Sequence, residues 1–247
     1  MQNLKRALRE ATSPTNIRRD LALMNRFQRV YMVVIMAVTV WAFVYTGDYS
    51  SSGWTSLITG LVLAFYLIML ASGRLTNFFW GLLTNGIWLL MSIHNHLVGD
   101  ILNQGFFFVM QFVGMAAWYK QLSQQADHSQ IQAKRIGPKM MGCLVAGAVV
   151  VYGIVLTVAK TAHGNQVYLD SSQLPLGMLA QILATYGYLS QWIVWLFVDA
   201  VGLLLWWNQI QAGGSGALGM FVLMIVKTFN AFYGMYLWSK TTEYKAD

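Results

Sequence analysis

Charge is what this chain has least of. Asp, Glu, Lys and Arg supply 10% of its 247 residues, against about a quarter in a soluble globular domain. So few charges exclude an ordinary water-soluble fold. Cysteine is almost absent too: a single residue, Cys143, leaves no intrachain disulfide and makes redox compartment uninformative. Three prolines leave long stretches uninterrupted. Acidic residues number nine, giving a net charge of +7. An excess of that size can signal nucleic acid, but its placement, described below, argues against a nucleic-acid partner. No P-loop, Gly-rich phosphate cradle or Ser/His/Asp grouping occurs at membrane depth. All four histidines fall in loops, and His94-Asn95-His96 lacks the third ligand a metal site needs. The chain is expected to hold no metal and no cofactor, and not to be an enzyme.

What the chain does have is apolar length. It is 57% hydrophobic, with a mean hydropathy of +0.50. Its apolar blocks match the roughly 20 residues that cross a bilayer core. The reading is an all-α integral membrane protein with eight transmembrane helices, over residues 30–46, 54–71, 78–93, 101–118, 140–159, 176–189, 192–207 and 218–238. The sixth is short and is expected to begin nearer Asp170. Residues 1–29 read as a basic N-terminal segment without a signal-peptide pattern, divided near Ser13-Pro14-Thr15-Asn16 and suited to an amphipathic helix on the membrane surface. Residues 30–53 hold an additional N-terminal span. Residues 119–169 form a loop and connector helix, and 239–247 a tail.

With the N-terminus inside, fourteen Lys and Arg fall on inner segments, Lys160 alone falls outside, and Lys227 lies within the last span. Such a bias places both termini in the cytoplasm of a multi-pass protein.

The spacing of its motifs predicts an internal repeat: Ser72-Gly73-Arg74-Leu75-Thr76-Asn77-Phe78-Phe79-Trp80 stands 114 residues before Tyr186-Gly187-Tyr188-Leu189-Ser190-Gln191-Trp192-Ile193-Val194. The same offset sets Asn85 against Asp199. Gly114-Met115-Ala116-Ala117-Trp118 answers Gly234-Met235-Tyr236-Leu237-Trp238 at an offset of 120. The expected architecture is therefore two parallel three-helix repeats, 54–118 and 170–238, joined by the connector, with a binding site between corresponding short spans.

Chemistry concentrates on the seventh span. Trp192, Trp195 and Asp199 stand at i, i+3 and i+7, which places them within about 60° of one another on a helix. Two ring faces and a carboxylate on one stripe suit a flat cation; interfacial anchoring of the rings is the plainer alternative. Other polar residues at membrane depth include Asn85, Gln104, Gln111, Lys227 and Asn230, with Phe107 between the two glutamines. Such groups turn from lipid toward a bundle interior or wet cavity. Taken together they are expected to contact substrate, Lys227 either directly or by neutralising Asp199. One membrane-depth carboxylate with a structural partner also argues against ion-driven transport.

Residues 54–240 resemble the PnuC nicotinamide riboside transporter family. The likeness rests on Asn77-Phe78-Phe79-Trp80-Gly81-Leu82-Leu83, Gln104-Gly105-Phe106-Phe107-Phe108, Gly114, Trp118, Asp170, Trp192-x-x-Trp195-x-x-x-Asp199 and Gly234. It implies a three-plus-one-plus-three architecture similar to SWEET proteins but full-length, assembled as a homotrimer in a bacterial inner membrane. It also implies facilitated diffusion of nicotinamide riboside, trapped by a cytoplasmic riboside kinase. The family pattern commonly has asparagine where this chain has Asp199. Sister proteins carry thiamine, a second flat cation, or riboflavin, so another cationic vitamin is the alternative substrate. An intramembrane enzyme would need a catalytic group with an activating partner, and none is visible; an ion channel or a scaffold would not need the aromatic stripe.

Overall fold

The computed structural model describes residues 2–94, 98–125, 128–161, 166–213 and 217–241. Ten helices carry them: α1 (Gln2–Ala11), α2 (Pro14–Ala22), α3 (Arg26–Thr46), α4 (Ser51–Ala71), α5 (Asn77–His94), α6 (Val98–Leu122), α7 (Pro138–Thr161), α8 (Val167–Thr185), α9 (Gln191–Gln211) and α10 (Ala217–Thr241). Among the described residues six are long and apolar enough to cross a membrane, namely α3, α4, α6, α7, α9 and α10.

This corrects the expectation of eight spans in two SWEET-like repeats. Helices form at all eight expected places, but α5 and α8 fall short as spans for a physical reason. Helix α5 has 18 residues and buries Asn77, Thr84 and Ser92. Helix α8 has 19, with Asp170 in its first turn and Pro175 inside it. Their apolar blocks alone read as full spans. One is the middle helix of the first expected triplet and the other is the first helix of the second, so the triplets do not correspond.

The chain forms two compact units, residues 1–132 with 185–187, and residues 133–184 with 188–247. In the first, α3, α4, α5 and α6 pack each against the next, and α1 lies across α6. Helix α3 starts at a capping box. Asn25 Oδ1 accepts from Gln28 N at 2.8 Å, and Gln28 Oε1 accepts from Asn25 N at 3.0 Å, which satisfies two of the donors every helix start leaves open. It ends at Gly47, whose φ of 63° supplies the left-handed cap.

The basic N-terminal segment is docked into this unit. Pro14 opens α2, where its missing N–H costs nothing. Ala7, Ala11 and Met24 are buried, and Met24 packs with Ile68 and Met69 of α4. Asp20 is 3% exposed and accepts from Thr76 Oγ1 at 2.8 Å. Gln28 Nε2 donates to Ser72 Oγ at 2.9 Å. The turn between α4 and α5 is therefore held by two side chains from more than forty residues upstream. On its other side, Ile131 N donates to Gly73 O at 3.0 Å and Arg74 Nη1 to Ser129 O at 2.8 Å. Asp20→Ala removes the Thr76 acceptor inside a buried contact, so we expect a loss of about 1–3 kcal/mol. Melting of the purified protein should fall by a few degrees while Thr39→Ala, remote from the turn, leaves it nearly unchanged.

In the second unit α9 packs against α10. Leu179, Ala180 and Leu183 of α8 form a core with Val194 of α9, covered by Met141, Leu144 and Ala148 of α7. Outside these contacts α7 has a broad exposed apolar surface, including Val145, Val149, Val150, Ile154 and Val158, as a helix facing lipid requires. Cys143 is exposed on it.

Candidate functional site

Glycine sets how closely α9 and α10 approach. A Cβ on Gly234 would stand 2.6 Å from Trp192 Cζ3 and nearer still to two other ring atoms. The Trp192 ring therefore lies directly on the α10 backbone. It meets Trp238 edge to face, with centroids 5.7 Å apart and planes at 82°, a favourable aromatic geometry. Further along, Asp199 faces Lys227 at 3.4 Å, and Gly202 faces Met224 and Gln173. These rungs define an antiparallel pair in which Asn230 falls level with Trp195 and Leu196.

Every predicted site residue of the second unit lies on that pair. Trp192 is 1% exposed, enclosed by its own helix partner. Trp195 is half-buried and packs on the Leu179–Leu183 core. Asp199 and Asn230 are buried, and Asn230 Oδ1 has no hydrogen-bond partner. The Lys227 side chain is 24% exposed against 2% for Asp199. The sequence had left open whether Lys227 would neutralise Asp199, and the structure pairs them. The two rings share a helix stripe but not an environment: Trp192 is fixed in packing, whereas Trp195 keeps part of its surface.

The first unit brings together the remaining four. Phe78 lies on Gly114, with a Cβ there 2.5 Å from Phe78 Cε1, and meets Trp118 at 4.9 Å and 81°. Gly86 faces Phe108, so Asn85 and Phe107 stand at about the same level, both half-buried. Gln104 is 7% and Gln111 1% exposed. Gln111 is seated against Gly81, where a Cβ would come within 2.8 Å of its Cδ and 2.9 Å of Tyr66 Cε2. The Tyr66 phenol is the polar neighbour of that amide, yet neither amide atom is placed for a hydrogen bond. A rotation of either group would be needed to close the contact.

Two positions escaped sequence reasoning. Gln191 is 0% exposed and neither of its amide atoms is hydrogen-bonded, although it immediately precedes Trp192. Gln173 lies beside Gly202 and donates from Nε2 to Val198 O at 3.3 Å. A buried amide without partners is costly, and no sequence pattern distinguishes it from a satisfied one. Among the described residues no group of three His, Cys, Asp or Glu could hold a metal; His96 lies outside them.

Gly234→Ala tests the close approach directly. The added methyl must displace the Trp192 ring, and overpacking of this kind costs about 1–3 kcal/mol. The variant should melt lower than the parent and show shifted tryptophan emission, while Gly147→Ala, in open space on α7, should leave the emission unchanged.

The sequence profile described as "Nicotinamide mononucleotide transporter" matches residues 53–240. Three bacterial relatives, each named as nicotinamide riboside transporter PnuC, extend the comparison. That of Neisseria mucosa is 23% identical over 219 residues, covering 87% of this chain and 82% of its own length. That of Haemophilus influenzae is 21% identical over 215 residues, covering 87% and 90%. That of Escherichia coli is 26% identical over 218 residues, covering 78% and 87%. The fold is similar to a solved structure titled "Crystal structure of the Vitamin B3 transporter PnuC", with a TM-score of 0.75, 22% identity and coverage of 93% and 97%. The resemblance carried by residues 54–240 is thereby borne out over nearly the same stretch. From a profile match over most of its length, this chain belongs to the nicotinamide mononucleotide transporter family, that of the PnuC nicotinamide riboside transporters.

Proposed function

We propose that the chain is a carrier of nicotinamide riboside, moving it across a bacterial inner membrane by facilitated diffusion. The observation that carries this reading is the α9 face, where Trp195 keeps part of its surface on the stripe it shares with Asp199, in a chain whose relatives bear that transporter's name. A flat pyridinium is served by a ring face and a carboxylate together. In the second unit Trp195, Asp199, Lys227 and Asn230 are the proposed substrate contacts, with Trp192 holding the end of α9; in the first unit the proposed contacts are the amides of Gln104, Gln111 and Asn85 and the ring of Phe107. The carrier works as a homotrimer, the exposed face of α7 being the surface left for neighbours or lipid. Both termini are cytoplasmic, on the distribution of Lys and Arg, and a riboside kinase traps the product.

The test is uptake of labelled nicotinamide riboside into proteoliposomes held at zero potential. Label should equilibrate, saturate and exchange with unlabelled substrate, and an imposed proton or sodium gradient should not raise it above equilibrium. Competition by thiamine and by nicotinamide mononucleotide, the molecule in the family's description, assigns the substrate. Stronger competition by either would move the assignment to that compound.

A further inference from the structure

The Asp199–Lys227 pair has an unusual build for a structural salt bridge. At 3.4 Å it exceeds a tight charge-assisted bond of about 2.7–2.9 Å, and Asp199 Oδ1 makes no hydrogen bond. Its partners are also unequal, the carboxylate being buried and the lysine 24% exposed. Lysine has a long flexible stem that can carry its ammonium to water; a short carboxylate side chain has no such exit. Few other charges bear on the pair. Helix α10 offers Lys227 with Met224 beside it at 3.9 Å. Helix α8 offers the uncharged Gln173, and its Asp170 is exposed. The α7 residues covering the α8–α9 core are Met141, Leu144 and Ala148.

We propose that Lys227 is an internal stand-in for the substrate's positive charge, and that it determines uniport. The inference rests on the reading of Asp199 as the cation's partner. In the empty carrier the ammonium neutralises Asp199, so the carboxylate crosses the reorientation cycle without a bare charge and without a proton. When the pyridinium binds it takes the place of the ammonium at Asp199, and Lys227 withdraws toward water. The empty centre is neutral and the loaded centre carries one positive charge. Each substrate therefore moves one charge, and a potential negative inside drives uptake.

Lys227→Gln removes the stand-in. A buried carboxylate without a counterion is neutralised by a proton, so the empty variant carries the proton and the loaded one the pyridinium. One proton then leaves for each substrate bound, and the exchange becomes electroneutral.

Uptake of labelled nicotinamide riboside is measured in two arms, a potassium diffusion potential at equal pH and an inside-acid pH gradient with the potential clamped. The parent should accumulate label about fifty-fold at a potential of about 100 mV and show no accumulation from the pH gradient. Lys227→Gln should respond in reverse, with about ten-fold accumulation per pH unit. A variant that keeps the parent's response, or a parent driven by the pH gradient, overturns the proposal. Should the variant bind but not transport, calorimetry in buffers of different ionisation enthalpy decides. Close to one proton released per substrate at neutral pH by the variant, and none by the parent, upholds it; no release from the variant overturns it. A parent that neither binds nor carries nicotinamide riboside instead refutes the underlying assignment of substrate.

Discussion

Trp192→Ala is expected to lower stability by about 3–5 kcal/mol, the cost of emptying a fully enclosed aromatic site. The ring is 1% exposed, rests on Gly234 and meets Trp238 edge to face, so little nearby can collapse into the space. Trp195→Ala should behave differently. That ring is half-buried, and its loss should weaken nicotinamide riboside binding by about 1–3 kcal/mol, or roughly 5- to 150-fold, with a smaller change in melting. Trp41→Phe, at a ring 48% exposed on α3, serves as the control and should alter neither quantity. Melting and titration of the three variants together separate packing from binding. Equal binding by Trp195→Ala and the parent would reduce that ring to packing as well.

The second large effect is expected at Asp199. Asp199→Asn leaves the Lys227 ammonium without its counter-charge inside a membrane helix, and breaking a buried pair from one side costs about 3–5 kcal/mol. Because the lysine is 24% exposed it can turn to water, and the expected loss drops to about 1–3 kcal/mol. The double variant Asp199→Asn with Lys227→Gln removes both charges and should recover most of that stability. A double variant no more stable than Asp199→Asn would show that the ion pair carries little of the helix packing.

The sequence shows the helices more clearly than their membership in the membrane. Apolar runs and their polar borders locate all eight long helices to within a few residues, because burial in lipid or core imposes the same apolar composition. That equivalence also makes α5 and α8 look like full spans in the sequence. A buried Thr84 or Gln181 lowers hydropathy without interrupting the helix, and the short offset matches cannot weigh that. The N-terminal segment reads as basic and suited to the membrane surface, but its docking is not legible in the sequence: Asp20 and Gln28 bind Thr76 and Ser72, contacts between positions too distant for local patterns to reveal. At the site, the i, i+3, i+7 spacing placed Trp192, Trp195 and Asp199 on one stripe. It could not show that Gly234 draws Trp192 into packing, because the missing Cβ acts from another helix. The unbonded amides of Gln191 and Gln111 are visible only once their surroundings are known.

The central claim is that the α9 face binds a flat cation, and one comparison tests it most directly. Purified protein is titrated with nicotinamide riboside and with its uncharged dihydro form, for the parent and Asp199→Asn, following tryptophan fluorescence. The account predicts saturable quenching by nicotinamide riboside in the parent, weaker binding of the dihydro form, and a loss in Asp199→Asn that falls mainly on the charged ligand. Equal affinity of the parent for both forms, unchanged by the substitution, would contradict it.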